Sequence, residues 1–310
     1  MGLVMNCFLP VEENFLALPG NLCDPSAARV VVQQVPFEAT TTFGKGCDTG
    51  PRAIVGASHE VELFDAELGF EPWKVAGGVA TRPPIEVTGS DGMPLDGGAL
   101  AERLRRETRR WIDDGRFVVT LGGEHTSVIG AIHAHCEAYE DVSVLQFDAH
   151  SDLRPEYMDS PWNHACAMSR VLDFHSSIVQ VGIRSQDAGE RALSHRLALP
   201  VFYAHAIHQQ TEECRDWTGA VVAALKPRVY ITFDCDAFDP AVIPATGTPE
   251  PGGLTWRQVN AVLARVCRER EVVGFDINEL APIEGLSHPQ FTIAKLAARL
   301  IGWRKYGLRP

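Results

Sequence analysis

Three observations predict an α/β fold with a mainly parallel sheet covered by helices on both faces. Short, nearly continuous apolar runs recur along the 310 residues; segments of helical period separate them; no internal repeat or low-complexity linker interrupts the alternation. Continuously apolar strands are those buried on both sides, and strands alternating with helices join into parallel sheets through crossover connections.

Residues 1–28 carry scattered apolar side chains with Pro10, Pro19, Gly20 and Pro25 and no sustained period. They predict an arm lying over the domain or over a neighbouring subunit. The start lacks the basic segment and long apolar core of a signal peptide, and Asn6 stands where N-myristoylation needs Ser or Thr. The first buried strand is expected over residues 28–36. The loop that follows, Thr40-Thr41-Thr42-Phe43-Gly44-Lys45-Gly46-Cys47, lacks the GxxxxGK[ST] spacing of a phosphate cradle and reads as part of an active-site rim. Pro51 marks the first turn of a helix. Residues 69–98 are dense in Gly and Pro, which predicts irregular chain with at most one short strand near residues 74–76. A helix over residues 99–114 turns Leu100, Leu104 and Trp111 inward. Its arginines, interleaved with Glu102 and Glu107, form a solvated face. Further strands are expected at 116–121, 142–147, 178–183, 228–233 and 272–277, and a shorter one at 201–203. Helices are expected over 126–137, 163–173, 189–196, 218–225, 255–269 and 290–303. Residues 29–310 read as a single domain.

The composition, 45% hydrophobic and 22% charged, is ordinary for a globular protein. A formal net charge of −12 argues against a nucleic-acid partner and suits a small cationic substrate. No apolar run approaches membrane-spanning length, so no membrane association is expected. The eight cysteines form no CxxC pair or regular framework, which predicts mostly buried, reduced thiols in a cytoplasmic protein.

The chemistry concentrates after the apolar run that ends at Phe147. Side chains alternate along a strand, so Asp148, His150 and Asp152 can converge where the strand opens into a loop. Two carboxylates and an imidazole suit Mn²⁺, Fe²⁺ or Zn²⁺; the plain alternative is a turn whose aspartates cap a helix. A second acidic strand end carries Asp234 and Asp236, a third carries His125 after Gly122-Gly123-Glu124, and Glu279 follows the last strand. Singly, each has an ordinary structural explanation. Jointly, carboxylates packed at adjacent strand ends repel one another and raise one another's pKa, and a pair of dications is the natural counter-charge.

These segments resemble a known family. Gly122-Gly123-Glu124-His125, Asp148-Ala149-His150-Ser151-Asp152 and Asp234-Cys235-Asp236-Ala237-Phe238-Asp239-Pro240 are similar to the three signature motifs of the ureohydrolases, the arginase and agmatinase family. The likeness continues through residues 244–254 and 276–282 and spans nearly the whole chain. It implies a three-layer α/β/α fold with a central sheet of about eight strands, two Mn²⁺ per subunit and a homo-oligomer, trimer or hexamer. By the resemblance His125 and Asp152 bind one metal, His150 and Asp236 the other, and Asp148 and Asp234 bridge both. The metals would make hydroxide available near neutral pH, Glu279 would receive the guanidinium in a bidentate pair, and His164 would shuttle protons to the leaving amine. In Asn163-His164-Ala165 the residue after the histidine departs from the Gly of many members.

For the substrate, Arg154 stands where arginases carry an Asn that holds the α-carboxylate. Asp152-Leu153-Arg154, the run from His164 to Arg170 and Gln180-Val181-Gly182-Ile183-Arg184 are more similar to agmatinases. The expected reaction is therefore hydrolysis of agmatine to putrescine and urea, a step of polyamine biosynthesis. Guanidinobutyrase is the runner-up, because Arg154 or Arg184 in the tail pocket would favour a carboxylate. Arginase, formiminoglutamase and a mono-zinc deacetylase-like amidohydrolase are weaker alternatives.

Overall fold

Strand and helix alternate from the first buried run to the last: β1 (Val30–Val35), α1 (Gly50–Ser58), α2 (Pro72–Ala76), β2 (Val79–Thr81), α3 (Gly97–Asp113), β3 (Phe117–Gly122), α4 (Ile129–Ala138), β4 (Val142–Phe147), α5 (Ala167–Leu172), β5 (Ile178–Val181), α6 (Ala188–Arg196), β6 (Val201–Phe202), α7 (Ala204–Gln209), α8 (Trp217–Ala224), β7 (Arg228–Asp234), α9 (Trp256–Glu269), β8 (Glu271–Asn278) and α10 (His288–Trp303). The computed structural model describes residues 8–18, 20–209 and 215–304. The strands form one parallel eight-stranded sheet in the order β2-β1-β3-β8-β7-β4-β5-β6.

Alternate residues of each strand feed two cores, as the pleat requires. On one face Val30, Val32, Phe147, Ile231 and Phe275 pack with Ile54 of α1, Leu263 of α9 and Leu296 of α10. On the other, Val142, Val144 and Tyr230 meet Ile129 and Ile132 of α4 and Val171 of α5, and Val31 and Val118 meet Trp111 of α3. The fold is thus the three-layer α/β/α sandwich with a parallel sheet that the sequence predicts. Side chains close the helix starts: Asp96 accepts the amides of Gly98 and Ala99 before α3, and capping boxes join Asp187 to Glu190 and Thr255 to Gln258 before α6 and α9.

Residues 8–18 lie along the sheet's edge. The Leu9 amide donates to Thr81 O at 2.8 Å, and the Asn14 side chain both donates to Val79 O (3.1 Å) and accepts from Thr81 N (2.7 Å). The polar backbone of an edge strand is thereby covered. Residues 1–7, where the leader and lipidation expectations fall, lie outside the described residues.

Residues 74–76 are helical and not strand. Pro72 supplies the fixed φ of a first helical turn and Gly77, at φ 86°, closes it, so the strand begins only at Val79. The short α7 has no counterpart in the sequence reading, because six residues with two histidines show no legible period. Among the described residues Cys23, Cys47, Cys136, Cys166, Cys235 and Cys267 carry free thiols, and the last two with Cys47 and Cys166 are buried. Among the same residues no helix is long and apolar enough to cross a membrane.

Candidate metal centre and cleft

Strands β3, β8, β7 and β4 are consecutive neighbours, and strands in a sheet lie only about 4.8 Å apart. Their carboxyl ends therefore deliver Glu124 and His125, Glu279, Asp234 with Asp236, and the Asp148 segment to one place, the edge where ligands collect in open parallel sheets. Two residues there hold left-handed backbone, Asp152 at φ 53° and Glu279 at φ 61°. Such conformations are costly outside glycine and persist where the surroundings enforce them, commonly at functional sites.

His125 Nδ1 lies 2.8 Å from Asp152 Oδ2, 3.2 Å from Asp148 Oδ2 and 3.7 Å from Asp234 Oδ2. None of these contacts has hydrogen-bond geometry. A buried nitrogen aimed among three carboxylate oxygens, off their hydrogen-bond directions, is the disposition of ligands around a shared cation. The other ring nitrogen, Nε2, is 3.0 Å from Thr232 Oγ1, whose hydroxyl donates to Asp276 Oδ1 at 2.8 Å. That chain places the proton on Nε2 and leaves Nδ1 as the donor atom. Across the site His150 Nδ1 lies 2.9 Å from Asp236 Oδ2 and 3.7 Å from Asp148 Oδ1. Two groups with ligand atoms within 4.8 Å of one another result, His125–Asp148–Asp234 and Asp148–His150–Asp236, and Asp148 belongs to both. The donor set, four carboxylates and two imidazoles, fits hard or borderline dications.

The electrostatics point the same way. Burial and the neighbouring Asp152 and Asp236 push Asp148 up to about 7, and burial with Asp236 and Asp148 raises Asp234 well above the carboxylate range. Burial pulls the imidazoles down, but the carboxylates outweigh it: His125 stands well above its usual value and His150 at about 10. Burial opposes the ionised Asp236, yet His150 holds it at about 2. Without an added cation, protons must supply the counter-charge.

The cleft above this cluster measures about 210 Å³ and is lined by Thr41, Thr42, Phe43, Gly44, Arg154, Tyr157, His164, Gly247, Thr248 and Glu279 besides ligand-type residues. Loop 40–47 forms its rim, and the Gly44 amide donates to Gly247 O at 3.0 Å. A Cβ at Gly44 would stand 2.8 Å from that oxygen, so the two loops meet only because glycine is there. Glu279 Oε1 accepts the His125 amide at 2.7 Å, and burial with the nearby Glu124 raises its pKa well above normal. His164 stands at the side; burial lowers its pKa against the opposing pull of Asp152.

The two arginines differ. Arg184 spends its guanidinium on carbonyls, reaching Asp236 O at 2.7 Å, Glu250 O at 2.6 Å and Pro251 O at 3.1 Å, and is absent from the cleft wall. Arg154 lines the cleft with its charge already faced by Asp187 (3.6 Å) and Glu190 (3.8 Å) and its plane over the Tyr157 ring at 4.7 Å. Sequence reasoning gave no role to Thr40, Glu124, Thr232 and Asp276, which hold the histidines; Thr40 lies in the predicted rim loop and Glu124 and Asp276 in runs of the family likeness, so only Thr232 lacked a visible signal.

Residues 28–302 match the model of the Arginase family. The N(1)-aminopropylagmatine ureohydrolase of Thermus thermophilus is 40% identical, over 89% of this chain and 90% of that protein, and the enzyme of the same name from Synechocystis is 37% identical over 89% of each. The agmatine ureohydrolase structure from Thermoplasma volcanium superposes with a TM-score of 0.79 at 28% identity, covering 99% of this chain and 96% of that one. A family match over nearly the whole length, joined to the same fold in a solved ureohydrolase, means that this chain belongs to the arginase family and is a ureohydrolase.

Proposed function

We propose that this ureohydrolase takes cationic alkylguanidines of the agmatine type, with the aminopropyl-extended form of agmatine ahead of agmatine itself, and releases urea and the corresponding amine. The observation that carries the reading is Asp148 shared between two ligand groups at the floor of a cleft that also presents Glu279 and His164. Two Mn²⁺ would be held there, His125 and Asp152 serving one, His150 and Asp236 the other, with Asp148 and Asp234 between them. Such ions, when bound, acidify water into a nucleophile and neutralise the crowded carboxylates. A single Zn²⁺ would need only half of this set.

Glu279 orients the substrate. Each carboxylate oxygen has two lone pairs, so Oε1 can accept a guanidinium N–H besides the His125 amide while Oε2 accepts a second, a bidentate pair that fixes the reacting carbon. His164 gives a proton to the nitrogen that departs as the C–N bond breaks.

The tail preference rests on Arg154 and Arg184. Asp187 and Glu190 compensate the first and backbone carbonyls consume the second, so neither offers a free cation to a carboxylate tail. This disfavours 4-guanidinobutanoate and arginine. The names of the two curated relatives reported above support the extended tail over agmatine alone. Urea release should be measured with Mn²⁺ on N(1)-aminopropylagmatine, agmatine, 4-guanidinobutanoate and arginine. The two cationic amines should exceed the acids in kcat/KM by about 10²-fold or more, the scale of leaving a buried charge unpaired. Preference for either acid would overturn the reading, and agmatine ahead of its extended form would overturn the order proposed here.

A further inference from the structure

Thr40 joins a buried carboxylate to the cleft histidine. Its Oγ1 lies 2.8 Å from Glu124 Oε1, 3.1 Å from His164 Nδ1 and 3.0 Å from the His164 amide nitrogen. Glu124 is fully buried, and its second oxygen accepts the amides of Ala39 and Thr40 at 2.8 and 2.6 Å, so the carboxylate clamps the loop that carries the hydroxyl.

Hydrogen counting fixes the direction of these bonds. A hydroxyl has one proton and two lone pairs, and a carboxylate only accepts. The Thr40 proton therefore points at Glu124, and the hydroxyl oxygen receives both the His164 amide and the ring. Were the hydroxyl to donate to Nδ1 instead, its oxygen would face a carboxylate oxygen at 2.8 Å with no proton between them. The opposite ring nitrogen, Nε2, has no hydrogen-bond partner among the described residues, and His164 lines the cleft.

We infer that Thr40, oriented by Glu124, is a positioning residue that holds His164 as the Nδ1–H tautomer, so that protons enter and leave the ring only at Nε2. The inference rests on the proposed role of His164 as the acid for the leaving amine. When the imidazolium passes its Nε2 proton to the nitrogen released from the guanidino carbon, the neutral ring that remains is the tautomer Thr40 stabilises. Solvent water then returns a proton to Nε2. A ring free to adopt the other tautomer would spend part of its time with the proton on Nε2 and the lone pair on Nδ1, unable to take up a proton on the side that faces the cleft, as happens when the orienting group of a catalytic histidine is lost.

The experiment compares Thr40→Val, which keeps shape and loses the hydroxyl, with Thr40→Ser, which restores it. In Thr40→Val kcat should fall by about a hundredfold, the low end of what a positioned acid contributes, with KM and metal content unchanged, and Thr40→Ser should recover most of the loss. An unchanged kcat, or a loss that tracks KM or metal content, would overturn the relay. A second measurement is independent of activity: ¹⁵N-histidine spectra of the protein loaded with diamagnetic Zn²⁺, with the His164 ring assigned by its disappearance in His164→Asn. The wild type should show a protonated Nδ1 and a bare Nε2, and Thr40→Val a mixture. A wild-type ring protonated at Nε2 and bare at Nδ1 would sink the inference even in an active enzyme. If instead His164→Ala released urea at the wild-type rate, the role of His164 in the proposed function would fall, and the spectra would still decide the tautomer.

Discussion

Glu279 combines a left-handed φ of 61°, a side chain buried except toward the cleft and an Oε1 committed to the His125 amide at 2.7 Å. Replacing it by Gln separates its two tasks. The amide oxygen can still accept from His125, so backbone and metal ligands should stay in place, but the NH₂ group would meet a guanidinium donor to donor. Glu279→Gln should keep normal metal content by elemental analysis and lose about 10²–10³ in kcat/KM, the scale of removing one preorganised electrostatic partner. Loss of metal together with activity would move Glu279 into the coordination shell. The convergence of this residue and the six ligand-type side chains was legible in the sequence, because each sits in a short motif at a strand end, whereas His164, in the turn that leads into α5, was singled out only by the resemblance. The roles of Thr40, Glu124, Thr232 and Asp276 were not legible: what they do depends on which atom they face across the fold, and a hydroxyl or carboxylate in sequence does not reveal its hydrogen-bond partner.

Elements are legible in proportion to how strongly one period marks them. The buried strands β1, β3, β4, β7 and β8 and the long helices α3, α9 and α10 were plain from continuous apolar runs and amphipathic stripes, whereas α2 and α7, of five and six residues, fall below the window in which a period can be counted. The docking of α10 was equally invisible, since it depends on ions brought together from distant positions. Arg299 reaches Asp65 at 2.8 and 3.1 Å and Asn260 of α9 at 2.5 Å, Lys295 lies 3.1 Å from the same Asp65, and the amides of Glu67 and Leu68 also bind it. Burial opposes the ionised Asp65, but Arg299 outweighs it and holds the carboxyl well below the usual range. A depressed folded-state pKa gives stability that is present above the unfolded value and is lost as pH falls through the folded one. Asp65→Asn should cost about 1–3 kcal/mol at neutral pH, because it removes the buried one of the two carboxylates that Arg299 faces and leaves only the exposed Glu67, 2.6 Å away. Urea unfolding should show the gap to wild type narrowing below about pH 4, where an unfolded aspartate takes up its proton. A gap independent of pH would mean that packing, and not charge, docks the helix.

Over the whole molecule, the net charge of −12 includes buried carboxylates gathered at one edge of the sheet. Asp148 at about 7, Asp276 at about 6, and Asp234 and Glu279 raised well above normal all hold protons that the unfolded chain releases nearer pH 4. The folded state thus binds more protons than the unfolded state across this range, and its stability falls as pH rises through it. His125 and His150 extend the trend toward alkaline pH, since their raised values give stability that is complete below the unfolded imidazole value and lost as pH climbs through the folded one, about 10 for His150. Cations replace these protons, so their binding strengthens as the ligands deprotonate, and binding to the folded state alone adds stability by mass action. Chelated protein should therefore melt at a lower temperature at about pH 8.5 than at about pH 5.5, while the gain in melting temperature on adding Mn²⁺ should be larger at the higher pH. Calorimetry at matched ionic strength would measure both. A gain from Mn²⁺ that is constant with pH, or greater in acid, would show that the ions do not compete with protons at the Asp148 cluster and would remove the electrostatic ground for placing them there.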